Sequence, residues 1–123
     1  MRSPLLRFAA TATLVVIPLA ACGGGGSTAT TSGPGVNVHA LDALKFDKGT
    51  YDATAGDVTL TLINDGNIQH TLDIDGKNGF ELDVSGHGQT QSKSITLTAG
   101  TYTIYCSIAG HRNAGMQATL NVK

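Results

Sequence analysis

Tryptophan is absent from the 123 residues, aromatic residues make up 5% of them, and there is no basic excess, with 8 Lys and Arg against 9 Asp and Glu. Such a balance lacks the basic stripe with interleaved aromatics that nucleic acid requires, so that partner class is set aside. Long hydrophobic runs are also missing. The stretch from Phe8 to Ala21 holds 14 residues and contains Pro18, whereas a helix crossing the bilayer core needs roughly 20 apolar residues. No segment shows the period of a long helix, and no internal repeat is visible. Cysteine occurs only at positions 22 and 106, which leaves room for one disulfide at most. The length itself allows a single domain.

What is present begins with Arg2 and Arg7 ahead of the apolar stretch, the charged-then-apolar order of an export signal. The stretch ends in "LAAC", Leu19 to Cys22, which resembles the lipobox of bacterial lipoproteins. That resemblance implies cleavage before Cys22 and lipid attached to it, whereas an ordinary secretory signal would leave Cys22 incidental. Acyl chains contribute about 0.8 kcal/mol per buried methylene, so two or three of them hold a protein durably on a membrane. The expected location is the extracytoplasmic face of a bacterial membrane, in the cell envelope or periplasm. Next comes "GGGGSTATTSGPG", Gly23 to Gly35, a tract without apolar surface to bury. Its thirteen residues form a flexible tether that reaches on the order of 20 Å. The expected organisation is a signal peptide over 1–21, a lipidated Cys22 and tether over 22–35, and one domain over 36–123. Loss of residues 1–21 removes two arginines and no acid, leaving 6 basic against 9 acidic residues, a formal charge of −3. Electrostatically matched partners are therefore basic or neutral.

From Val36 onward apolar and polar residues alternate. "DVTLTLIN" sets Val58, Leu60 and Leu62 on one face, "HTLDID" sets His70, Leu72 and Ile74 together, and "TYTIYC" does the same with Tyr102, Ile104 and Cys106. "MQATLNV" aligns Met116, Ala118, Leu120 and Val122. Turn signals at 64–67, 75–79, 85–88 and 98–101 separate these runs. The pattern predicts an all-β, Greek-key β-sandwich of about seven to eight strands.

Within that pattern His70, Cys106 and Met116 occupy core-facing positions, where polar or polarisable groups are ordinarily out of place. His111 lies in the loop between the last two of those segments. If Cys22 carries lipid, Cys106 is the one thiol of an exported protein, and an unpaired thiol there oxidises unless something protects it. A Cys22–Cys106 disulfide is the competing account and requires the lipobox reading to be false. Zinc is poorly served by a thioether. Two imidazoles, one thiolate and a weak axial Met suit copper, in a geometry between the preferences of Cu(I) and Cu(II). His39, early in "VNVHALD", and His87, in a Gly-rich turn, are expected to be exposed and without a metal role.

"NDGNIQHTLDI" followed by "AGTYTIYCSIAGHRNAGM" resembles the cupredoxins, the small blue copper proteins, along the whole of residues 36–123. The resemblance implies one type 1 copper ion held by His70, Cys106, His111 and Met116. The second cysteine of a binuclear centre is missing, because Gly110 stands at its place. Many members have Asn directly after the first histidine; this chain has Thr71, expected to do less of the same bracing work, and Ser107 follows the thiolate.

The function this implies is a lipid-anchored carrier of single electrons, not an enzyme, with the electron passing through the His111 imidazole. Ile108, Ala109, Gly110, Ala114 and Gly115 are expected to form a flat docking patch. Arg112, the one charge in the loop, is expected to orient an acidic partner, and Asp73, Asp75, Glu81 and Asp83 to lie along a solvated edge or meet a basic partner. Expected partners are redox proteins such as cytochromes or copper oxidoreductases, met by a monomer. The alternative is a module that buffers or delivers copper without redox work. A copper enzyme such as a nitrite reductase requires further His ligands and domains that this chain lacks.

Overall fold

Alternating burial along the strands is what builds the sandwich. In the computed structural model, which describes residues 34–123, the first sheet holds β1 (Val36–Leu41), β2 (Lys45–Phe46), β4 (Gly56–Asn64) and β7 (Thr90–Leu97), in the order β2-β1-β4-β7. The second holds β3 (Thr50–Ala53), β5 (His70–Ile74), β6 (Glu81–Val84), β8 (Gly100–Tyr105) and β9 (Gln117–Val122), in the order β3-β9-β8-β5-β6. The signal segment, Cys22 and all but the last two residues of the tether lie outside the described residues.

Both sheets are mixed. β1 runs parallel to β4 and β3 parallel to β9, while the remaining pairs are antiparallel. The described residues form nine strands, three of which, β2, β3 and β6, have only two, four and four residues. Segments that short carry too few alternations to announce themselves in the sequence.

The inward faces supply one core. Val58, Leu60 and Leu62 from β4 meet Leu72 and Ile74 from β5, Ile104 from β8, and Leu120 and Val122 from β9, all buried. Each fully buried aliphatic side chain stabilises the fold by roughly 1.5–3 kcal/mol. The outward face of the β4–β7 pair is a row of hydroxyls instead: Thr59 meets Ser94 and Thr61 meets Ser92, each at 2.7 Å.

The chain changes sheets between β4 and β5, and this crossing carries it to His70. Asn64 closes β4 with a side chain that is fully buried and fully used. Its Nδ2 donates to the Ile68 carbonyl at 2.8 Å and the Val84 carbonyl at 3.3 Å, and its Oδ1 accepts the Gly66 N–H at 2.9 Å. One amide thus pins the crossing loop to the second sheet.

Asn64→Leu keeps the bulk of this side chain and removes its polar atoms. Each partner left buried without a bond costs about 1–3 kcal/mol. Urea denaturation of the metal-free variant is therefore expected to show a clear fall in midpoint with unchanged strand content, and an unaltered midpoint would deny Asn64 this role.

Candidate metal centre

The histidine and the cysteine come together because β5 and β8 are neighbours. Their ladder pairs Asp73 with Tyr105 and Ile74 with Ile104, then stops. Two residues further along, side chains take over from backbone. Thr71 Oγ1 accepts the Ser107 N–H at 2.7 Å and lies 2.8 Å from Ser107 Oγ and 3.0 Å from Asp73 Oδ2. An ionised carboxylate only accepts, so the single Thr71 hydroxyl proton goes to Asp73 and the Ser107 hydroxyl donates to Thr71. This leaves the Cys106 sulfur lying against the start of β5, where it accepts the Thr71 backbone N–H at 3.3 Å.

Thr71 therefore braces the ligand loop through its hydroxyl and meets the sulfur through its amide. Both groups act on the same segment, Cys106–Ser107.

The loop from Ser107 to Met116 is folded on itself. His111 N–H donates to the Ile108 carbonyl at 3.0 Å, Gly115 N–H to Arg112 at 2.9 Å, and Met116 N–H to His111 at 3.0 Å. Cys106 N–H in turn donates to the Met116 carbonyl at 3.1 Å, which ties the two ends of the loop together. Gly110 and Gly115 have φ of +84° and +111°, in the region that side chains disfavour, which lets the turns close this tightly.

The result places His70, Cys106 and His111 with one donor atom each inside a span of 4.8 Å. Cys106 Sγ lies 3.4 Å from His111 Nδ1, and the two imidazole centroids are 5.4 Å apart with the rings tilted by 57°. His70, Cys106 and Met116 have no exposed surface, and His111 is half-buried. Met116, at the far end of the loop, is buried and bonded through its backbone to both Cys106 and His111.

Electrostatics agree with a metal-binding role. Both ring nitrogens of His70 are buried without a hydrogen-bond partner, an expensive state for a polar group unless something else satisfies it. Burial, followed by the neighbouring His111, holds the His70 imidazole below its usual pKa, with Asp42 opposing. The ring is neutral at neutral pH and has a lone pair to give. Thiolate, two imidazoles and a thioether form the donor set that suits copper, so the residues present fit that ion.

Several polar groups stand differently from the sequence expectation. Arg112 is already engaged within the chain: its Nη2 donates to Asp75 Oδ2 at 2.7 Å, its Nε to Gln117 Oε1 at 3.3 Å, and its guanidinium carbon sits 4.1 Å from the Tyr105 ring centroid. This pairing lowers the Asp75 pKa and raises that of Arg112. Asp83 is engaged by Gln69 Nε2 at 2.9 and 2.8 Å, while Glu81 is exposed. His39 is half-buried, not exposed, whereas His87 is exposed as expected: His39 Nδ1 lies 2.8 Å from Asp65 Oδ2, and His87 Nδ1 lies 3.1 Å from the Gly66 carbonyl. Both pack against the crossing loop, away from the donor cluster.

The structure also shows residues that the sequence did not single out. Asn64 and Asp42 hold the crossing loop from 25 or so positions away or from its base, and Ile68, at 41% exposure, is the one large hydrophobic exposed among the described residues. The "NDGN" turn signal marks the loop but not its partners.

The family of copper-binding proteins described as plastocyanin/azurin matches residues 35–123. A search of curated proteins returns no match. Among solved structures, dithionite-reduced auracyanin from the photosynthetic bacterium Roseiflexus castenholzii superposes with a TM-score of 0.65 at 18% identity, over 75% of this chain and 98% of that chain. An azurin (Az-iso2) from the obligate methylotroph Methylomonas sp. strain J gives 0.62 at 15%, over 72% and 97%. Auracyanin B gives 0.58 at 23%, over 72% and 88%. At these identities the structural likeness speaks for the fold, which is the cupredoxin sandwich. The family match over the whole described domain speaks for the site as well: the chain belongs to the plastocyanin/azurin family of copper-binding proteins, with His70, Cys106, His111 and Met116 arranged as a type 1 copper site.

Proposed function

We propose that the protein carries single electrons between redox proteins while anchored by lipid at Cys22 to the outer side of a bacterial membrane. The observation that carries the electron-transfer reading is the burial of the donors beneath a loop already braced at both ends. Bound copper supplies the one-electron couple. The chain's own part is to hold the donors in one arrangement while that couple cycles, and to keep water and small molecules from the thiolate.

Thr71 serves the first task through the Thr71 N–H to Cys106 Sγ contact at 3.3 Å. A donor aimed at the sulfur withdraws charge from it, which raises the reduction potential relative to a bare thiolate. His111 serves as the outlet. Its ring is half-buried while Ala109, Gly110, Ala114 and Gly115 around it are exposed, which supports brief docking over the imidazole edge by a partner such as a cytochrome or a copper oxidoreductase.

The same burial weighs against both rivals. A delivery module has to release its ion, and His70 and Cys106 offer no exposed surface through which an acceptor's ligand can attack. An enzyme needs an open coordination position for substrate, and the covered donors provide none. The reading is therefore an electron carrier and not a catalyst of bond changes.

The anchoring rests on the sequence: the short apolar stretch, "LAAC" and the Gly/Ser/Thr tract that follows. Cys22→Ala is expected to move the protein from the membrane fraction to the soluble fraction of the producing bacterium without loss of copper colour. Retention of the variant on the membrane would remove the anchor from the proposal.

Two substitutions test the site. Cys106→Ala is expected to abolish the intense blue thiolate-to-copper absorption, and a variant that stays blue would refute the donor assignment. Met116→Gln is expected to keep copper but lower the reduction potential, because an oxygen donor favours Cu(II) more than a thioether does. Each tenfold gain in preference for Cu(II) corresponds to about 59 mV for a one-electron couple. An unchanged or higher potential by voltammetry would argue against Met116 as the axial donor.

A further inference from the structure

His70 carries a difficulty that copper alone resolves by half. A neutral imidazole has one N–H donor and one lone pair, and a metal takes only the lone pair. The remaining N–H, in a ring with no exposed surface, still needs an acceptor.

Asp42 supplies one. It lies immediately after β1, in the turn towards β2, and its carboxylate reaches across to the loop that leads into His70. Oδ1 accepts the backbone N–H groups of Asn67 at 2.7 Å and Ile68 at 3.2 Å, and Oδ2 accepts Asn67 Nδ2 at 3.2 Å. The same Oδ1 stands 3.9 Å from His70 Nε2. That separation is beyond a formed hydrogen bond, yet a shift of about an ångström by either side chain closes it to hydrogen-bond range.

The glycine beside it supports a built arrangement. A Cβ on Gly66 would fall 2.0 Å from Asp42 Oδ1 and 2.9 Å from the Asp42 backbone nitrogen, so the carboxylate can sit this deep against the loop only because position 66 has no side chain.

We propose that Asp42 is a positioning residue of the metal centre: it fixes the proton of His70 on Nε2, leaves the lone pair on Nδ1 for the metal, and locks the ring to the crossing loop. The carboxylate has two linked effects. By holding Asn67 and Ile68 it sets where the backbone delivers His70, and by facing Nε2 it sets which nitrogen is free and how basic it is. Outer carboxylates of this kind orient metal-binding imidazoles and strengthen them as donors, and their loss typically costs about 10–100-fold in metal affinity. A stronger imidazole donor favours Cu(II), so the carboxylate also holds the reduction potential down.

The inference rests on the copper reading for its purpose but not for its first test. In the metal-free full chain labelled with 15N at histidine, the His70 ring nitrogen shifts are expected to report the Nε2–H tautomer. A ring found as the Nδ1–H tautomer would overturn the proposal whether or not the protein binds copper.

The second test compares Asp42→Ala with Asp42→Asn in competition titrations with Cu(II). The Ala variant is expected to lose about 10–100-fold in affinity. The Asn variant retains an acceptor oxygen for Nε2–H and for the Asn67 and Ile68 amides, so it is expected to recover most of that loss while showing a higher potential than the parent. Equal affinity in all three proteins would overturn the proposal. If the parent protein itself fails to turn blue with Cu(II), the copper reading falls, and the tautomer measurement still decides the place of Asp42.

Discussion

A fully buried imidazole with neither nitrogen satisfied, set against a buried thiol, is the constraint on which the rest of the molecule depends. Hydrophobic burial does not tolerate such a pair for its own sake, since a stranded polar group costs more than the apolar contacts of its ring return. The sandwich keeps them because the ladder between β5 and β8 ends one step early. Where backbone pairing would have continued, Thr71 and Ser107 exchange side-chain bonds, and the Thr71 N–H points to sulfur instead of to a carbonyl. The metal centre is thus a designed break in a sheet, filled by donors rather than by backbone.

Both halves of the centre sit on the second sheet, and the His70 half is also tied to the first. His70 opens β5, paired with Val84 of β6, and the loop that delivers it is also held by Asn64, at the end of β4, and Asp42, after β1, from the first sheet. The segment from Cys106 to Met116 is fastened to the second: by Thr71 of β5 at one end, and at the other by Arg112, which reaches Asp75 after β5, Gln117 of β9 and the face of Tyr105 on β8. An exposed ion pair alone contributes little. Here the guanidinium also lies on an aromatic face next to His111, so its consequence is the orientation of a loop more than stability. The crossing loop's ties to the first sheet make the packing of the two sheets, over a core of Leu60, Leu62, Leu72 and Leu120, part of the site's geometry.

Much of this was legible in the sequence, for a physical reason. Periodicity of two reports which side chains face inward, and His70, Cys106 and Met116 were conspicuous because they broke the apolar rule on the inward face; the structure places all three without exposed surface. The turn signals fall between strands for the same local reason. What periodicity cannot report is who meets whom across the fold. Arg112 read as a free charge because its partner Asp75 is 37 positions away, and Asp42 drew no notice because its partners lie 25 and 26 positions off. His39 looked exposed for want of any sign that Asp65 would fold over beside it. Strands of two and four residues leave no pattern to detect.

Bracing from both sheets also bears on what the centre is good for. Moving one electron through a metal is slow when the donors must rearrange, because the two oxidation states favour different geometries. In this protein each donor segment is tied by several short hydrogen bonds to strands in a close-packed core, and interiors of that density resist displacement. The donors are therefore kept near one compromise arrangement, which lowers the rearrangement that each transfer demands. The same rigidity hinders stepwise ligand exchange, the route by which an ion is handed to another protein. A site that is stiff, covered and open to the surface only through the half-buried ring of His111 is suited to passing electrons and poorly suited to passing metal.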